Sequence, residues 1–185
     1  MPTITDELSF GGAIEKIRRL GLGRLYQELR GIITGFTLNV LEEKTRKGAN
    51  SAAEVRVMFD GALTRAGDWR GIKSGGIDWS KCLTINGTSV CLGVEVQLSG
   101  RSDSGIIMDL HHLREAITTG LIDVGVLIVA NATLARLLTD RAPQLKDAEC
   151  HIRHGFELFP LLVLGVQHDG AGPALPKRIT RPTSN

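Results

Sequence analysis

The sequence predicts an α/β (α+β) domain in which a helical N-terminal third precedes a mixed central β-sheet flanked by helices. Three observations predict it. Between Gly12 and Gly31 the apolar residues Ile14, Ile17, Leu20, Leu25 and Leu29 recur at helical spacing. Asn86-Gly87 separates two alternating runs, the strongest short-range signal for a two-residue hairpin. The run LIDVGVLIVA over residues 121–130 is nearly all apolar, as suits a strand buried on both faces.

The elements follow in order. Gly21 and Gly23 interrupt the first helical stretch. Lys16, Arg18, Arg19, Arg24 and Arg30 make that stretch basic; a solvated helix face is the default reading and phosphate contact the alternative. Residues 38–47 continue as helix. Ser51-Ala-Ala-Glu54 is a capping-box signature opening a helix through Met58 and Leu63 toward Ala66. A glycine-rich loop over residues 67–76 delivers the chain to Asp78; it lacks the residue order of a nucleotide-binding P-loop, and no strand precedes it. After the hairpin, a polar loop over residues 99–104 leads to a helix carrying Ile106, Ile107, Leu110, Leu113 and Ile117, ended by Gly120. Hairpin strand, crossover helix and buried strand make a right-handed βαβ unit. Asn131 caps a short helix, and residues 159–166 form another apolar strand that begins at Pro160 or lies near an edge. His111 and His112 ride on the crossover helix in surface or packing roles. Residues 1–169 read as one domain, and 170–185 as a flexible, basic, Gly/Pro-containing tail.

The chain of 185 residues is long enough for one domain with a proper core. A hydrophobic content of 42% and a charged content of 23% are ordinary for a soluble globular protein. No apolar run reaches membrane-spanning length, and MPTITDELSF has no signal-peptide design, so a cytoplasmic protein is expected. The net charge of +2 permits a nucleic-acid partner without arguing for one. Cys82, Cys91 and Cys150 are too few for a zinc site or a disulfide framework. Cys82 and Cys91 would be cross-strand neighbours, but free thiols are expected of a chain without an export signal. Cys150, His151 and His154 lack a second half to complete a metal site.

With Asn86-Gly87 as the loop, Ile85 pairs with Thr88, Cys82 with Cys91, Trp79 with Val94 and Asp78 with Glu95. Alternation then sorts the hairpin into two faces. Trp79, Leu83, Ile85, Thr88, Val90, Leu92, Val94, Val96 and Leu98 form a core face with Lys81 as its one charge. Asp78, Ser80, Cys82, Thr84, Ser89, Cys91, Gly93, Glu95 and Gln97 form a small and polar face that lines something wet. Opposed acids destabilise a ladder. A divalent cation between Asp78 and Glu95 removes that conflict, and Mg²⁺ with its hard oxygen ligands suits them, with Gln97 converging from the same face. The alternative is a solvated sheet edge carrying two scattered acids. A register slip or a bulge near Gly93 would also dissolve the pair.

Ile77-Asp78, the hairpin, Gly93-Val94-Glu95-Val96-Gln97, Asp109-Leu110-His111-His112-Leu113 and Leu121-Ile122-Asp123-Val124-Gly125-Val126 resemble the catalytic core of type II restriction endonucleases. Within the PD-(D/E)XK nuclease superfamily the likeness is to the BglII/BamHI-like group, and Glu95-Val96-Gln97 resembles its version with glutamine in place of the usual lysine. No proline precedes Asp78, and the chain is compact for the group. The resemblance covers roughly the middle third of the chain. It implies a PD-(D/E)XK core and Mg²⁺-dependent hydrolysis of double-stranded DNA at a short palindromic site, with one or two ions per active site. A site containing GATC and cut to leave 5′ overhangs is expected. Asp78 and Glu95 would be metal ligands and the Val96 carbonyl would complete the shell. Gln97, a neutral amide, would orient the attacking water rather than deprotonate it. Glu54 would give secondary catalytic support, with an ordinary capping role as its alternative, and Arg101 would contact DNA phosphate. Palindromic cutting implies a homodimer. The alternatives are a repair or structure-selective nuclease of the same superfamily, or a catalytically inactive DNA-binding protein on that fold.

Overall fold

The computed structural model describes residues 1–42, 50–72, 76–98, 104–139 and 142–175. The chain opens with β1 (Thr3–Phe10), then α1 (Ala13–Arg19) and α2 (Gly23–Ile33). Gly21, at φ +71°, is the break between these helices, a left-handed position that glycine takes without steric cost. After β2 (Asn39–Val40) comes α3 (Ala52–Arg65), whose N-cap Ser51 accepts from the Glu54 N–H at 3.2 Å. β3 (Arg70–Ile72), β4 (Ile77–Ile85) and β5 (Thr88–Gln97) follow as an antiparallel meander. α4 (Ser104–Thr118) carries the chain to β6 (Val124–Ala130), and α5 (Ala132–Leu137) and α6 (Leu145–Arg153) lead to β7 (Leu161–Gln167) and β8 (Gly170–Ala171). Asn131 caps α5 by accepting from the Leu134 N–H at 2.9 Å.

Six strands form one mixed sheet in the order β1-β7-β6-β5-β4-β3. β5, β6 and β7 are mutually parallel and joined by helices, whereas β1 runs antiparallel to β7 at one edge. The central turn behaves as its sequence demands. Asn86 and Gly87 both take positive φ (51° and 80°), the type I′ signature, and the register runs from Ile85↔Thr88 through Cys82↔Cys91 to Trp79↔Val94.

Helices cover both faces, making three layers. On one side α1, α2, α3 and α5 pack Leu25, Leu29, Val55, Phe59 and Leu134 onto Val90, Leu92, Val94, Val96 and Leu98. On the other, α4 and α6 pack Ile106, Leu110, Leu113, Ala148 and Ile152 onto Cys91, Leu127, Val129, Leu161 and Val163. At roughly 1.5–3 kcal/mol for each fully buried large apolar side chain, both interfaces are strong. Lys81, the charge on the apolar face, is anchored by Glu28 at 2.8 Å.

The structure corrects several expectations. The N-terminal third is not wholly helical: residues 3–10 are an edge strand, whose paired backbone offsets its weak alternation. Residues 38–42 are not helix. Leu38 N–H donates to Asp169 Oδ1 at 2.9 Å, and β2 bridges β8; residues 43–49 lie outside the described residues. Of the two readings of Pro160 the first holds: β7 starts directly after it and lies inside the sheet, between β1 and β6. Cys82 and Cys91 are not free thiols but a disulfide, because the register sets their Cα atoms 4.0 Å apart. The polar hairpin face is not wet at its Glu95 end. α4 lies across it, leaving Glu95 1% and Gln97 7% exposed.

Candidate metal centre

The site lies where β4 and β5 leave their shared ladder. The pairing runs only to Trp79↔Val94, and beyond it the Asp78 side chain takes over, accepting from the Val96 N–H at 2.9 Å through Oδ2. Asp78 Oδ1 meets Arg56 Nη2 at 2.7 Å. The same guanidinium donates through Nη1 to the Val96 carbonyl at 2.6 Å and through Nε to both Asp60 oxygens at 3.1 Å. Trp79 Nε1–H donates to Asp60 Oδ1 at 2.9 Å, so a tether runs from Trp79 through Asp60 and Arg56 to Asp78. Burial opposes the Arg56 charge, but Asp78 and Asp60 outweigh it and hold its pKa above the ordinary value.

Glu95 is the buried centre. β5 alternation turns it away from Val94 and Val96 toward α4, which contributes Asp109 and His112 at i, i+3 spacing beside the apolar stripe of Ile106, Leu110 and Leu113. Glu95, Asp109 and His112 each offer one ligand atom, and those atoms lie within 4.8 Å of one another. This group could hold a metal ion. Glu95 Oε1 approaches His112 Nδ1 at 3.4 Å, yet both atoms are buried without a hydrogen-bond partner. Such orphaned groups are costly, because water is lost and nothing replaces it.

Burial pushes the Glu95 carboxyl up to about 11; a hydrogen bond and repulsion from Asp78 add to this, as does Asp109, while Arg56 opposes it. Asp109 is raised to about 7 by burial and by the Asp78 charge, again against Arg56. Two neighbouring carboxyls that resist ionisation, one with an unpartnered oxygen, are what a bound cation would relieve.

The expected site residues are distributed as follows. Asp78 and Glu95 come close enough for Asp78 to raise the Glu95 carboxyl, although their strands no longer pair there. The Val96 carbonyl points to the same place and is engaged by Arg56. Gln97 lies under α4, where a Cβ at Gly105 would fall 2.0 Å from its Nε2. Glu54 sits in the first turn of α3 and uses its backbone N–H for the Ser51 cap. Arg56, two residues on, is the side chain of that helix that reaches the carboxylates. Arg101 lies outside the described residues. Sequence reasoning missed Arg56, Asp109 and His112. The available signal was Asp109-x-x-His112 on the crossover helix, bordering the apolar stripe that must face β5.

No protein-family model matches the chain, and no curated protein matches it significantly.

Proposed function

We propose that the protein is a divalent-cation-dependent nuclease that hydrolyses phosphodiester bonds in double-stranded DNA, a type II restriction endonuclease of the PD-(D/E)XK kind. The observation that carries this is Glu95: a carboxyl at 1% exposure, with an unpartnered oxygen, beside Asp78 on the neighbouring strand and Asp109 on the crossover helix. The mixed six-stranded sheet and the β5–α4–β6 crossover, which hold the quoted motifs together, support it. The resemblance supplies Mg²⁺ as the working ion.

When bound, a divalent ion polarises a phosphate oxygen and lowers the pKa of an attacking water. Glu95 and Asp109 would hold it, with Asp78 beside Glu95. Arg56 fixes the Asp78 carboxylate and the Val96 carbonyl in place, through one planar fork that touches both. Gln97 has no proton affinity near neutral pH, so it can orient water but not deprotonate it. A palindromic site requires a homodimer whose two-fold axis matches that of the DNA. Arg18, Arg19 and Arg24, exposed on α1 and α2, are available for phosphate contact. Among the described residues no helix is long and apolar enough to cross a membrane. Work on cellular DNA would place the protein in the cytoplasm, and the Cys82–Cys91 bond, uncommon in reducing compartments, is the feature that fits this least well.

The test is incubation of the full chain with a sequenced plasmid and Mg²⁺. Discrete fragments with uniform ends, abolished in both Asp78→Ala and Glu95→Ala, are expected. A smear or structure-dependent nicking would move the protein to repair-type nucleases. Binding of duplex without cutting, in Mg²⁺ and in Mn²⁺, would overturn the enzyme assignment.

A further inference from the structure

We infer that Glu95, Asp109 and His112 form a single-ion centre with two oxygen donors and one imidazole nitrogen, that it holds Mn²⁺ more tightly than Mg²⁺, and that Arg56 keeps the adjoining Asp78–Val96 position closed to a second ion. This rests on the proposed metal dependence of the same site and goes beyond it in naming a nitrogen ligand, an ion preference and a stoichiometry.

The nitrogen ligand follows from geometry. His112 Nδ1 is buried, lacks a hydrogen-bond partner and faces Glu95 Oε1, itself unpartnered, at 3.4 Å. On its other side the imidazole is walled by the backbone before β4: a Cβ at Gly76 would lie 2.9 Å from both Cε1 and Nε2. The ring is therefore held with Nδ1 toward the carboxyls. An imidazole in the donor set favours first-row transition ions over Mg²⁺, which prefers oxygen alone.

The stoichiometry follows from charge and occupancy. Arg56 satisfies Asp78 Oδ1 and the Val96 carbonyl at 2.7 and 2.6 Å, the two atoms that a second ion would need in addition to Glu95. It is pinned further by Asp60, which Trp79 holds. Asp60, part exposed, keeps contact with water, and the Asp78 charge is met by the guanidinium. Among the described residues, the carboxyls of this site that no arginine or lysine meets are Glu95 and Asp109. Once a bound ion displaces their protons, these two carboxylates match the charge of one divalent ion.

Titration of the full chain with MnCl₂ and with MgCl₂, read by calorimetry and by electron paramagnetic resonance, tests this without reference to cutting. One Mn²⁺ per chain is expected, with nitrogen coupling in the pulsed spectrum. His112→Ala should abolish that coupling and weaken Mn²⁺ binding by at least about tenfold, shrinking the Mn²⁺/Mg²⁺ affinity ratio. Arg56→Gln should raise the stoichiometry to two; Arg56→Met serves as the second variant should the first not fold. An ion without nitrogen coupling, an unchanged affinity ratio in His112→Ala, or two ions in the unsubstituted protein would overturn the proposal. A nitrogen-coordinated ion with no DNA cleavage would remove the nuclease assignment and leave the centre standing. Cleavage with an oxygen-only ion would do the reverse.

Discussion

The two faces of β5 sit at the same depth in the sheet and share one backbone, yet they are built on opposite principles. Val90, Leu92, Val94, Val96 and Leu98 meet the α1–α3 layer as an unbroken apolar surface. Cys91, Gly93, Glu95 and Gln97 meet α4 at near-equal burial, but two of the four are polar and one carries an orphaned oxygen. The first face is optimised for stability. The second gives up stability by burying an unpartnered carboxyl, a cost that the proposed ion site would explain.

Under the proposed nuclease activity, the largest expected break between the faces is catalytic. Glu95→Gln keeps the volume and removes the charge, so cleavage should fall by at least about 10²–10³-fold in a plasmid assay. The same variant should unfold at a higher temperature than the metal-free parent, because it no longer buries an ionisable group. A fall in both would make Glu95 merely structural. Leu92→Ala on the opposite face should do the converse: a loss of about 2–5 kcal/mol in denaturant unfolding, with Mn²⁺ stoichiometry retained in the folded fraction. Reduction of Cys82–Cys91 closes no long loop, the cysteines being nine residues apart, so the Cys82→Ser/Cys91→Ser pair should cost only about 2 kcal/mol. Ion affinity should survive it, since the turn and the ladder set the register independently.

The pH dependence is the most diagnostic readout. Asp109 rises from 3.8 to about 7 and Glu95 from 4.5 to about 11, so the folded metal-free chain keeps protons that the unfolded chain releases. Their contribution is complete below about pH 4 and declines as pH climbs, until about 7 for Asp109 and toward 11 for Glu95. Thermal scans without metal should thus show stability falling from pH 4 upward. Asp109→Asn should reduce the slope between 4 and 7, where both groups act, and Glu95→Gln should reduce it there and remove the part that continues above 7. Saturating Mn²⁺ should reverse the slope, because binding displaces those protons.

What was legible in the sequence is what the backbone decides locally. Asn86-Gly87 fixed a register that carried Trp79 opposite Val94 and brought Asp78 near Glu95. Ser51 and Asn131 announced their helices by side-chain caps. Other features depend on packing between distant segments. Arg56 reaches the carboxylates only because α3 lies against β5, 40 residues away in sequence, and the capping signal drew attention to Glu54 instead. His112 reads as an ordinary helix residue until α4 is laid across the polar face. The same placement of α4 turned an expected wet surface into a buried one. The 3–10 strand was missed because it sits at an edge, where one exposed side permits a pattern with little alternation.

The contact between Gly105 and Gln97 carries a consequence for how this protein tolerates change. The first turn of α4 is seated so low on β5 that even a methyl group at residue 105 would strike the Gln97 amide. In a saturation-mutagenesis survey alanine at residue 105 should be accepted only with a shift of the Gln97 amide, the far end of a flexible side chain, so the cost falls on Gln97 before it falls on the helix. Bulkier residues there should disturb the water-orienting role proposed for Gln97 more than they disturb the fold.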